Sequence, residues 1–345
     1  MPSPSFSFAV LRNGLLLLAA WTSAAVAIAA GILAAALPGL DVLNHAAPYA
    51  FLGAVGVLSA ALVMWRGQGA RRAGGLAAAG LAVALLGMTV IPEAVAGLFS
   101  PRTPPGDTGA TITVVTLNLW QGGAAEAQAV DFLVETNPDF IVLQETGFLY
   151  RPGLQRLREA FPFAVESVAS PYAQVAILSR HPPETVNALA GEAWSLRAEG
   201  GPPRHLRWTE ARFIVDGAAV HLVGLHAHRD RGVAATAAEI DAIAQTLSDI
   251  EDRTALIVAG DFNMTPWTHT LRRFAATAGL DRATHQLATY PTPARGNPDW
   301  PPFALFPIDH QFHGAAWRPV AVRRGPDVGS DHYPILVTYQ AVATP

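Results

Sequence analysis

A carboxylate and a carboxamide stand directly after an apolar run in the stretch Gly260-Asp261-Phe262-Asn263. Asp and Asn are depleted within strands and enriched where a strand passes into a loop, so residues 256–260 predict a strand that presents Asp261 and Asn263 at its mouth. A carboxylate at such a position is costly to bury unless a cation or a hydrogen-bond donor meets it. An Asx turn without chemistry is the alternative interpretation of the same residues.

Five further polar clusters lie at the ends of apolar runs, all after residue 110. They are Asn118, Gln144-Glu145, His226-Ala227-His228, Ile308-Asp309-His310 and Ser330-Asp331-His332. Each one alone is explained by a turn, a helix cap or a histidine satisfied within a loop. Six such clusters in one chain favour a shared site, in which carboxylates, amides and imidazoles meet a cation or an anionic ligand.

The two histidines His226 and His228 are spaced so that, on a strand, both point to the same side. With the following Arg229-Asp230 they are similar to the first metal motif of the metallo-β-lactamase superfamily. That motif continues with a histidine where this chain has Arg231. A two-metal zinc hydrolase is therefore an alternative for this cluster.

Short β-rich runs alternate with helical ones from residue 111 to 339, which predicts an α+β domain. Helical spacing covers residues 125–136, 153–160, 232–252 and 267–278. The predicted strands are 111–119, 140–144, 173–179, 211–216, 219–226, 255–260, 305–313 and 334–339. Residues 185–208 and 284–304 are predicted as long surface loops, the kind of segment that often contacts substrate.

The clusters together resemble the endonuclease/exonuclease/phosphatase superfamily of DNase I-like enzymes, in its membrane-anchored bacterial form. The residues that carry the resemblance are Asn118, Gln144-Glu145, the strand Val175–Arg180, His226, Gly260–Asn263, Ile308-Asp309 and Ser330-Asp331-His332. The similarity runs from about residue 111 to 340. It implies a four-layer α/β-β/α sandwich, with two sheets face to face and helices outside.

The resemblance also implies a divalent-metal-dependent phosphoesterase with assigned roles for these residues. Glu145 would hold Mg²⁺ or Mn²⁺ together with Asp331 and Asn118, because such hard cations prefer oxygen ligands. Asp261 would orient or deprotonate the attacking water. Asn118 and Asn263 would bind the phosphate or that water through their amides.

The histidines take the remaining implied roles. Asp309 would fix the tautomer of His332 and raise its pKa, so that the other ring nitrogen donates to a phosphoryl oxygen. His226 would be the general acid for the leaving oxygen. Two positions depart from the usual pattern: His228 is a second histidine that contacts substrate or replaces His226, and His310-Gln311 stand where an aromatic and an aliphatic residue are more usual.

The N-terminal hundred residues predict three transmembrane helices. Residues 14–37, about 48–65 and about 74–99 are nearly free of charge, and each is close to the roughly 20 residues that cross a bilayer. The whole chain has 14% charged residues and a mean hydropathy of +0.27. A cleaved signal peptide is the alternative for the first segment.

Basic residues flank these segments unevenly, which predicts their orientation. Arg12 precedes the first segment, and Arg66, Arg71 and Arg72 lie between the second and third, whereas residues 38–47 contain only Asp41 as a charged residue. Arginines favour the cytoplasmic side, so the N-terminus is expected in the cytoplasm of a multi-pass plasma-membrane or inner-membrane protein. Three crossings place the domain in the periplasm or outside the cell, and the absence of cysteine fits an oxidising compartment.

The expected organisation is a membrane anchor over 1–100, a linker over 101–110 and a catalytic domain over 111–340. From residue 111 onward 18 arginines face 24 acidic residues and no lysine occurs, so a general nucleic-acid-binding surface is not indicated. The expected partner is a phosphoester substrate: a nucleic acid, or a lipid, inositol phosphate or other small phosphodiester. A catalytically silent binding module tethered to the membrane is the alternative from another class.

Overall fold

A computed structural model describes most of the chain. The described residues are 8–65, 69–101, 109–120, 126–146, 154–166, 175–187, 195–196, 204–205, 208–229, 231–293 and 305–342. The chain divides into two compact units, Met1–Val95 with Trp267–His269, and Ala96–Pro266 with Thr270–Pro345. Most of the predicted linker, residues 102–108, and much of the two predicted loops, including 188–194 and 294–304, lie outside the described residues.

The first unit is helical. Its elements are α1 (Phe8–Ile28), a π-helical segment (Ala29–Leu33), α2 (Ala34–Ala36), a 3₁₀ helix (Pro38–Ala46), α3 (Ala47–Met64) and most of α4 (Ala70–Leu98). Three helical segments, Phe8–Ala36, Pro38–Met64 and Ala70–Leu98, are long and apolar enough to cross a membrane. Their buried residues are mostly alanines, which let helix backbones approach closely.

The second unit continues with helices and strands in alternation. Its helices are α5 (Glu126–Thr136), α6 (Gln155–Ala160), α7 (Val233–Ser248) and α8 (His269–Ala278), the last beginning at a residue of the first unit. Its strands are β1 (Thr111–Asn118), β2 (Phe140–Gln144), β3 (Phe163–Glu166), β4 (Val175–Ser179), β5 (Thr185–Asn187), β6 (Ser195–Leu196), β7 (Arg204–His205), β8 (Trp208–Val215), β9 (Ala218–His226), β10 (Leu256–Asp261), β11 (Asp281–Arg282), β12 (Asp309–His313), β13 (Trp317–Arg324) and β14 (Ile335–Ala341).

These strands form two six-stranded mixed sheets in the orders β13-β14-β1-β2-β4-β3 and β11-β12-β10-β9-β8-β5, and β6 pairs with β7 alone. The facing sides share one core, to which Val142 and Val175 contribute from the first sheet and Leu222 and Ile257 from the second. Helices α5 and α6 cover the outer face of the first sheet, and α7 and α8 cover the second. The predicted α+β sandwich of four layers, preceded by three apolar helices, is confirmed.

Gly224 on β9 marks a close approach of the two sheets. A Cβ atom added there would lie 2.8 Å from the Val142 Cγ1 atom and 3.0 Å from the Val175 Cγ1 atom, both on the opposite sheet. A glycine in the strand interior removes a side chain that this approach has no space for.

Strand register brings polar residues side by side at the ends of three neighbouring strands in the second sheet. Asp261 on β10 is the register partner of His226 on the parallel strand β9 and of Asp309 on the antiparallel strand β12. In the first sheet, Asn118 on β1 is paired with Gln144 on β2. The ends of these strands therefore present the predicted site residues together.

The sequence did not predict β3, β5, β6, β7, β11 or β13. The prediction of one long loop over 185–208 was wrong in part, since β5, β6 and β7 lie within it. Strand β13 forms the edge of the first sheet and shifts register between Pro319 and Ala321. An edge strand tolerates proline, arginine and a bulge because one side makes no ladder bonds, so the alternation that reveals a central strand is weak there. The predicted strand 305–313 is shorter in the structure, where β12 begins at Asp309.

Candidate active site

Backbone geometry at three positions fixes the mouth of the site. Gly260 has φ +154°, and a Cβ atom there would lie 1.9 Å from the carbonyl oxygen of Leu225. Glu145 and Asn263 have φ of +52° and +51°, values that residues other than glycine seldom adopt. Strained backbone of this kind persists where surrounding structure holds it, and functional sites are a common place for it.

Asn118, the last residue of β1, joins two carboxylates from different strands. Its Nδ2 donates to Glu145 Oε1 and to Asp261 Oδ2, each at 3.2 Å. Its Oδ1 accepts the backbone N–H of Trp120 at 2.9 Å, which establishes which end of the amide faces the carboxylates. Oδ1 has a second lone pair, so the predicted contact of Asn118 with a metal ion stays possible. The observed hydrogen bonds show Asn118 as a donor that orients the two carboxylates.

Asp261 and Asn263 form an Asx turn within the site. The backbone N–H of Asn263 donates to Asp261 Oδ1 at 2.8 Å, and Asn263 Nδ2 donates to the carbonyl oxygen of Ala227 at 2.8 Å. The Asx turn is therefore present in the structure, and the catalytic role of Asp261 stays a prediction. Asn263 also ties the loop after β10 to the loop after β9, and its predicted phosphate contact stays a prediction.

Asp309 and His332 form a buried carboxylate–imidazole pair. His332 Nδ1 lies 2.8 Å from Asp309 Oδ2, and that oxygen also accepts the hydroxyl of Thr289 at 2.5 Å. An ionised carboxylate only accepts, so Nδ1 carries the proton. His332 Nε2 then lies 3.8 Å from Asp261 Oδ2 and 3.9 Å from Asp331 Oδ1.

The charges of these groups shift one another's ionisation. Burial, with the neighbouring charge of Asp309, raises the pKa of Asp261 to about 7. Burial is the largest effect on His332 and lowers its pKa, but the carboxylates of Asp309, Asp261 and Asp331 outweigh it and raise the pKa to about 10. Burial also raises the pKa of Asp331, and the charge of Glu145 contributes, which places Glu145 and Asp331 in the same field.

The two histidines at the end of β9 have different partners. His226 Nε2 lies 3.8 Å from Glu145 Oε1 and 3.7 Å from Asp261 Oδ2. His228 lies beyond the strand. The carboxylate of Glu239 on α7 accepts hydrogen bonds from His228 Nδ1, at 2.9 Å, and from the His228 backbone N–H, at 2.9 Å. The alternation of a strand stops at His226, so the expected common direction of the two rings does not extend to His228.

The donor set fits a hard divalent cation. One ligand atom from each of Asp261, Asp309 and His332 lies within 4.8 Å of the others. His332 Nδ1 and Asp309 Oδ2 already bond to each other, and the carboxylates of Glu145 and Asp331 stay the predicted ligands of the ion. Asp331 Oδ1 and Asp309 Oδ1 are both buried with no hydrogen-bond partner among the described residues, so each has an oxygen that could bind a cation.

The unusual pair after Asp309 belongs to the core. His310 Nε2 lies 2.9 Å from the carbonyl oxygen of Met264. Gln311 donates from Nε2 to the carbonyl oxygen of Val114 at 3.2 Å, across the space between the two sheets. These contacts anchor β12 and so position Asp309.

Several residues around the site had no role in the sequence prediction. Thr289 holds Asp309, Glu239 holds His228, and Ser330 donates its hydroxyl to the carbonyl oxygen of Asn118 at 2.5 Å. Thr289 lies in a segment predicted as a loop. Glu239 lies in the predicted helix 232–252, as one of its polar residues. No spacing rule in the sequence links either one to its partner.

The sequence profile of the Endonuclease/Exonuclease/phosphatase family matches residues 115–332, more than half of the chain. The chain belongs to this family. The match begins before Asn118 and ends at His332, so it contains every residue of the site. Membership in the endonuclease/exonuclease/phosphatase family identifies the chemistry broadly, as that of phosphoester substrates.

Solved structures of the family have the same fold. An endonuclease/exonuclease/phosphatase from Beutenbergia cavernae is 19% identical, with a TM-score of 0.53 over 68% of this chain and 72% of that one. The protein from Bacteroides vulgatus is 16% identical, with a TM-score of 0.54 over 68% and 100%. The human Nocturnin catalytic domain with bound sulfate is 16% identical, with a TM-score of 0.52 over 69% and 97%. No curated protein matches the sequence.

Proposed function

We propose that this chain is a membrane-tethered, divalent-metal-dependent phosphodiesterase. The observation that carries the proposal is Asp261, whose Oδ2 accepts from Asn118 and lies within 4 Å of both His226 Nε2 and His332 Nε2. Asn118, which donates to Asp261, also donates to Glu145, the proposed metal ligand. The same Asp261 oxygen therefore lies near the metal-binding acid and near two imidazoles. This convergence suits an in-line attack on phosphorus by water.

Asp261 activates the water in this proposal. Its Oδ1 is held by the backbone N–H of Asn263 and its Oδ2 by Asn118, so the carboxylate has one fixed orientation. A base with a pKa of about 7 takes a proton from water efficiently near neutral pH. Glu145 and Asp331, with Asn118 alongside, would hold a divalent ion, which would supply positive charge opposite the phosphoryl oxygens.

His332 and His226 complete the proton and charge transfers. His332, held by Asp309, is protonated at neutral pH and donates from Nε2 to a phosphoryl oxygen. His226 Nε2, within 4 Å of Glu145 and Asp261, is the proposed donor of a proton to the leaving oxygen. His228 and Asn263 contact the substrate at the edge of the site.

The substrate proposed is a phosphodiester. The chain from residue 111 onward carries more acidic residues than arginines, which favours a small or lipid phosphodiester over a long nucleic acid held by a basic surface. A nuclease, a lipid phosphodiesterase and an inositol-phosphate phosphatase all use this fold, and fold alone does not choose between them.

The test of substrate class compares hydrolysis in parallel by the full chain in detergent, with Mg²⁺, of DNA, RNA, sphingomyelin and inositol phosphates. We expect metal-dependent turnover of at least one of them, and its loss in Glu145→Gln. The silent binding module is the answer if none of the four, nor a generic bis(p-nitrophenyl) phosphate reporter, is hydrolysed.

We further propose that the N-terminus is cytoplasmic and that the second unit lies in the periplasm or outside the cell. The support is the distribution of arginines around three helices that are able to cross a membrane. A reporter enzyme fused after residue 345 that is active only outside the cytoplasm is expected. Activity only in the cytoplasm would overturn this orientation.

A further inference from the structure

The exposed Arg229 and the half-buried Tyr290 form a cationic rim next to the site. Arg229 NH1 donates to the Tyr290 hydroxyl at 3.2 Å, and its guanidinium carbon lies 5.6 Å from the centre of the Tyr290 ring. The Tyr290 ring in turn lies 4.9 Å from the ring of His332, centre to centre. One aromatic side chain therefore contacts both an exposed arginine and the imidazole proposed to bind the phosphate.

The guanidinium of Arg229 is neutralised by no adjacent acid in the part of the chain that the structure describes. No carboxylate of the described residues is within 4.0 Å of it, whereas Arg180, Arg156 and Arg273 each pair with an aspartate. A guanidinium has five N–H donors, and the hydroxyl of Tyr290 occupies one of them. No other acceptor for these donors lies among the described residues, so they can bind an anion that comes from outside the protein.

Arg229 also lies within the electrostatic field of the site. The hydrogen bond to Tyr290 raises the pKa of Arg229 most, and the charges of Asp261 and Asp331 raise it further. The arginine thus stands close enough to the site for a substrate to reach both. Because the scissile phosphate already has His332 and the metal-binding acids, the rim is left for another group of the same substrate.

We propose that Arg229, held by Tyr290, binds a second phosphate group of the substrate, next to the phosphate that is hydrolysed. The inference rests on the proposed phosphoester site and narrows it to substrates that carry a second phosphate. Guanidinium is suited to this because its planar fork matches two phosphate oxygens at once. Such a substrate is either a short nucleotide chain or a phosphodiester of a phosphorylated inositol, and the two share this second phosphate.

The experiment measures binding by calorimetry to the full chain in detergent with Mg²⁺, so it does not depend on turnover. One arm compares thymidine 3′,5′-bisphosphate with thymidine 5′-monophosphate, and the other compares inositol 1,4-bisphosphate with inositol 1-phosphate. The wild type is expected to prefer the bisphosphate of one pair by roughly tenfold, the effect of a charge-assisted hydrogen bond. The pair that shows the preference identifies the source of the second phosphate.

Arg229→Gln should abolish that preference and leave binding of the monophosphate nearly unchanged. Tyr290→Phe, which removes the hydroxyl that holds Arg229, should reduce it in part. The control is Arg273→Gln, which removes an arginine paired with Asp241 on the outer helices and should keep the full preference.

Three results would overturn the inference: no preference in the wild type for either bisphosphate, an unchanged preference in Arg229→Gln, or an equal loss for both members of a pair. The last result would place Arg229 on the scissile phosphate. Failure of the proposed function shows separately, as absence of metal-dependent hydrolysis in a chain that still binds the bisphosphate through Arg229.

Discussion

At the scale of single residues, Asp261 is the group on which the hydrogen bonds and charges of the site converge. It accepts from Asn118 and from the backbone of Asn263, and it faces His226 and His332. A buried carboxylate with a neighbouring acid is destabilised as an anion, and His332, Asn263 and Asn118 offset part of that effect. A cation that binds nearby is therefore expected to favour the ionised form of Asp261.

Asp309→Asn is expected to lower kcat by about 10²- to 10⁴-fold, the range for a lost acid–base partner. The charge of Asp309 is the largest of the effects that raise the pKa of His332 to about 10, so the variant imidazole should lose its proton at lower pH. Wild-type His332 should stay protonated, and its contribution to kcat should persist, up to about pH 10. The variant should lose activity as pH rises through neutrality. The measurement is kcat between pH 6 and 10.

Asp241→Asn is the matched control for that substitution, since Asp241 pairs with Arg273 on the outer helices and should leave the profile unchanged. A wild-type pH profile in Asp309→Asn would contradict the role given to the carboxylate–imidazole pair.

At the scale of elements, the ends of β9 and β10 position the site through Gly260. In Gly260→Ala, the new Cβ atom would lie 1.9 Å from the carbonyl oxygen of Leu225, so one of the two strands must move. We expect a loss of stability of about 1–3 kcal/mol and a large fall in kcat, because Asp261 follows directly. Thermal unfolding and steady-state kinetics on the same preparation check both.

Gly217→Ala is the control for Gly260→Ala. Gly217 also has a positive φ, +80°, but open space around its Cβ position, in the turn before β9. It should lose about 1 kcal/mol of stability from backbone strain and keep its kcat. Equal kinetic effects of the two substitutions would show that the position of the β10 mouth does not matter.

The end of β9 also separates the roles of its two histidines. His226→Ala should lower kcat by about 10²-fold, since its ring lies against Glu145 and Asp261 as the proposed proton donor. His228→Ala should raise KM by about tenfold with little change in kcat, since Glu239 holds that ring at the edge of the site. Steady-state kinetics on the two variants distinguishes the roles, and a kcat effect confined to His228→Ala would exchange them.

The sequence predicted those elements whose patterns are local. Strands β1, β2, β9 and β10 are apolar runs with polar ends, so both their existence and the residues at their mouths were predicted within a few positions. The edge strand β13 was missed because proline and arginine interrupt its pattern. Local propensity describes central strands well and edges poorly.

The parts of the site that the sequence did not predict depend on contacts between distant residues. Thr289 meets Asp309 twenty positions away, and the Arg229–Tyr290 pair spans sixty-one. The different partners of His226 and His228 follow from where β9 ends, which a two-residue spacing does not reveal. Only the packed sheets bring these groups together.

At the scale of the whole molecule, the site should link pH, metal and stability. Asp261 has a pKa of about 7 in the folded protein and 3.8 as the ordinary value, so between those pH values the unfolded chain gives up this proton while the folded state retains it. His332, at about 10 against 6.5, behaves likewise at higher pH. The unfolded state binds fewer protons in both windows, so the stability of the metal-free protein falls as pH rises.

We therefore expect the metal-free chain to unfold at a lower temperature at pH 8.5 than at pH 5.5. Mg²⁺ should raise Tm more at pH 8.5, because it binds the ionised carboxylates. At about 100 times Kd it adds roughly 2.7 kcal/mol, which is about 5–10 °C for a domain of this size. Differential scanning calorimetry in detergent measures this, and an equal Mg²⁺ effect at both pH values would contradict it.

The most direct test of the central claim is hydrolysis of bis(p-nitrophenyl) phosphate by the full chain in detergent, with Mg²⁺ and again with a chelator. Wild type and Asp241→Asn should both turn over the reporter with Mg²⁺ and stop with the chelator. Asp261→Asn should be slower by about 10³-fold or more, as expected when the base that activates water is lost. Absence of metal-dependent turnover, or an undiminished rate in Asp261→Asn, would contradict the account of a water-activating carboxylate at the mouth of β10.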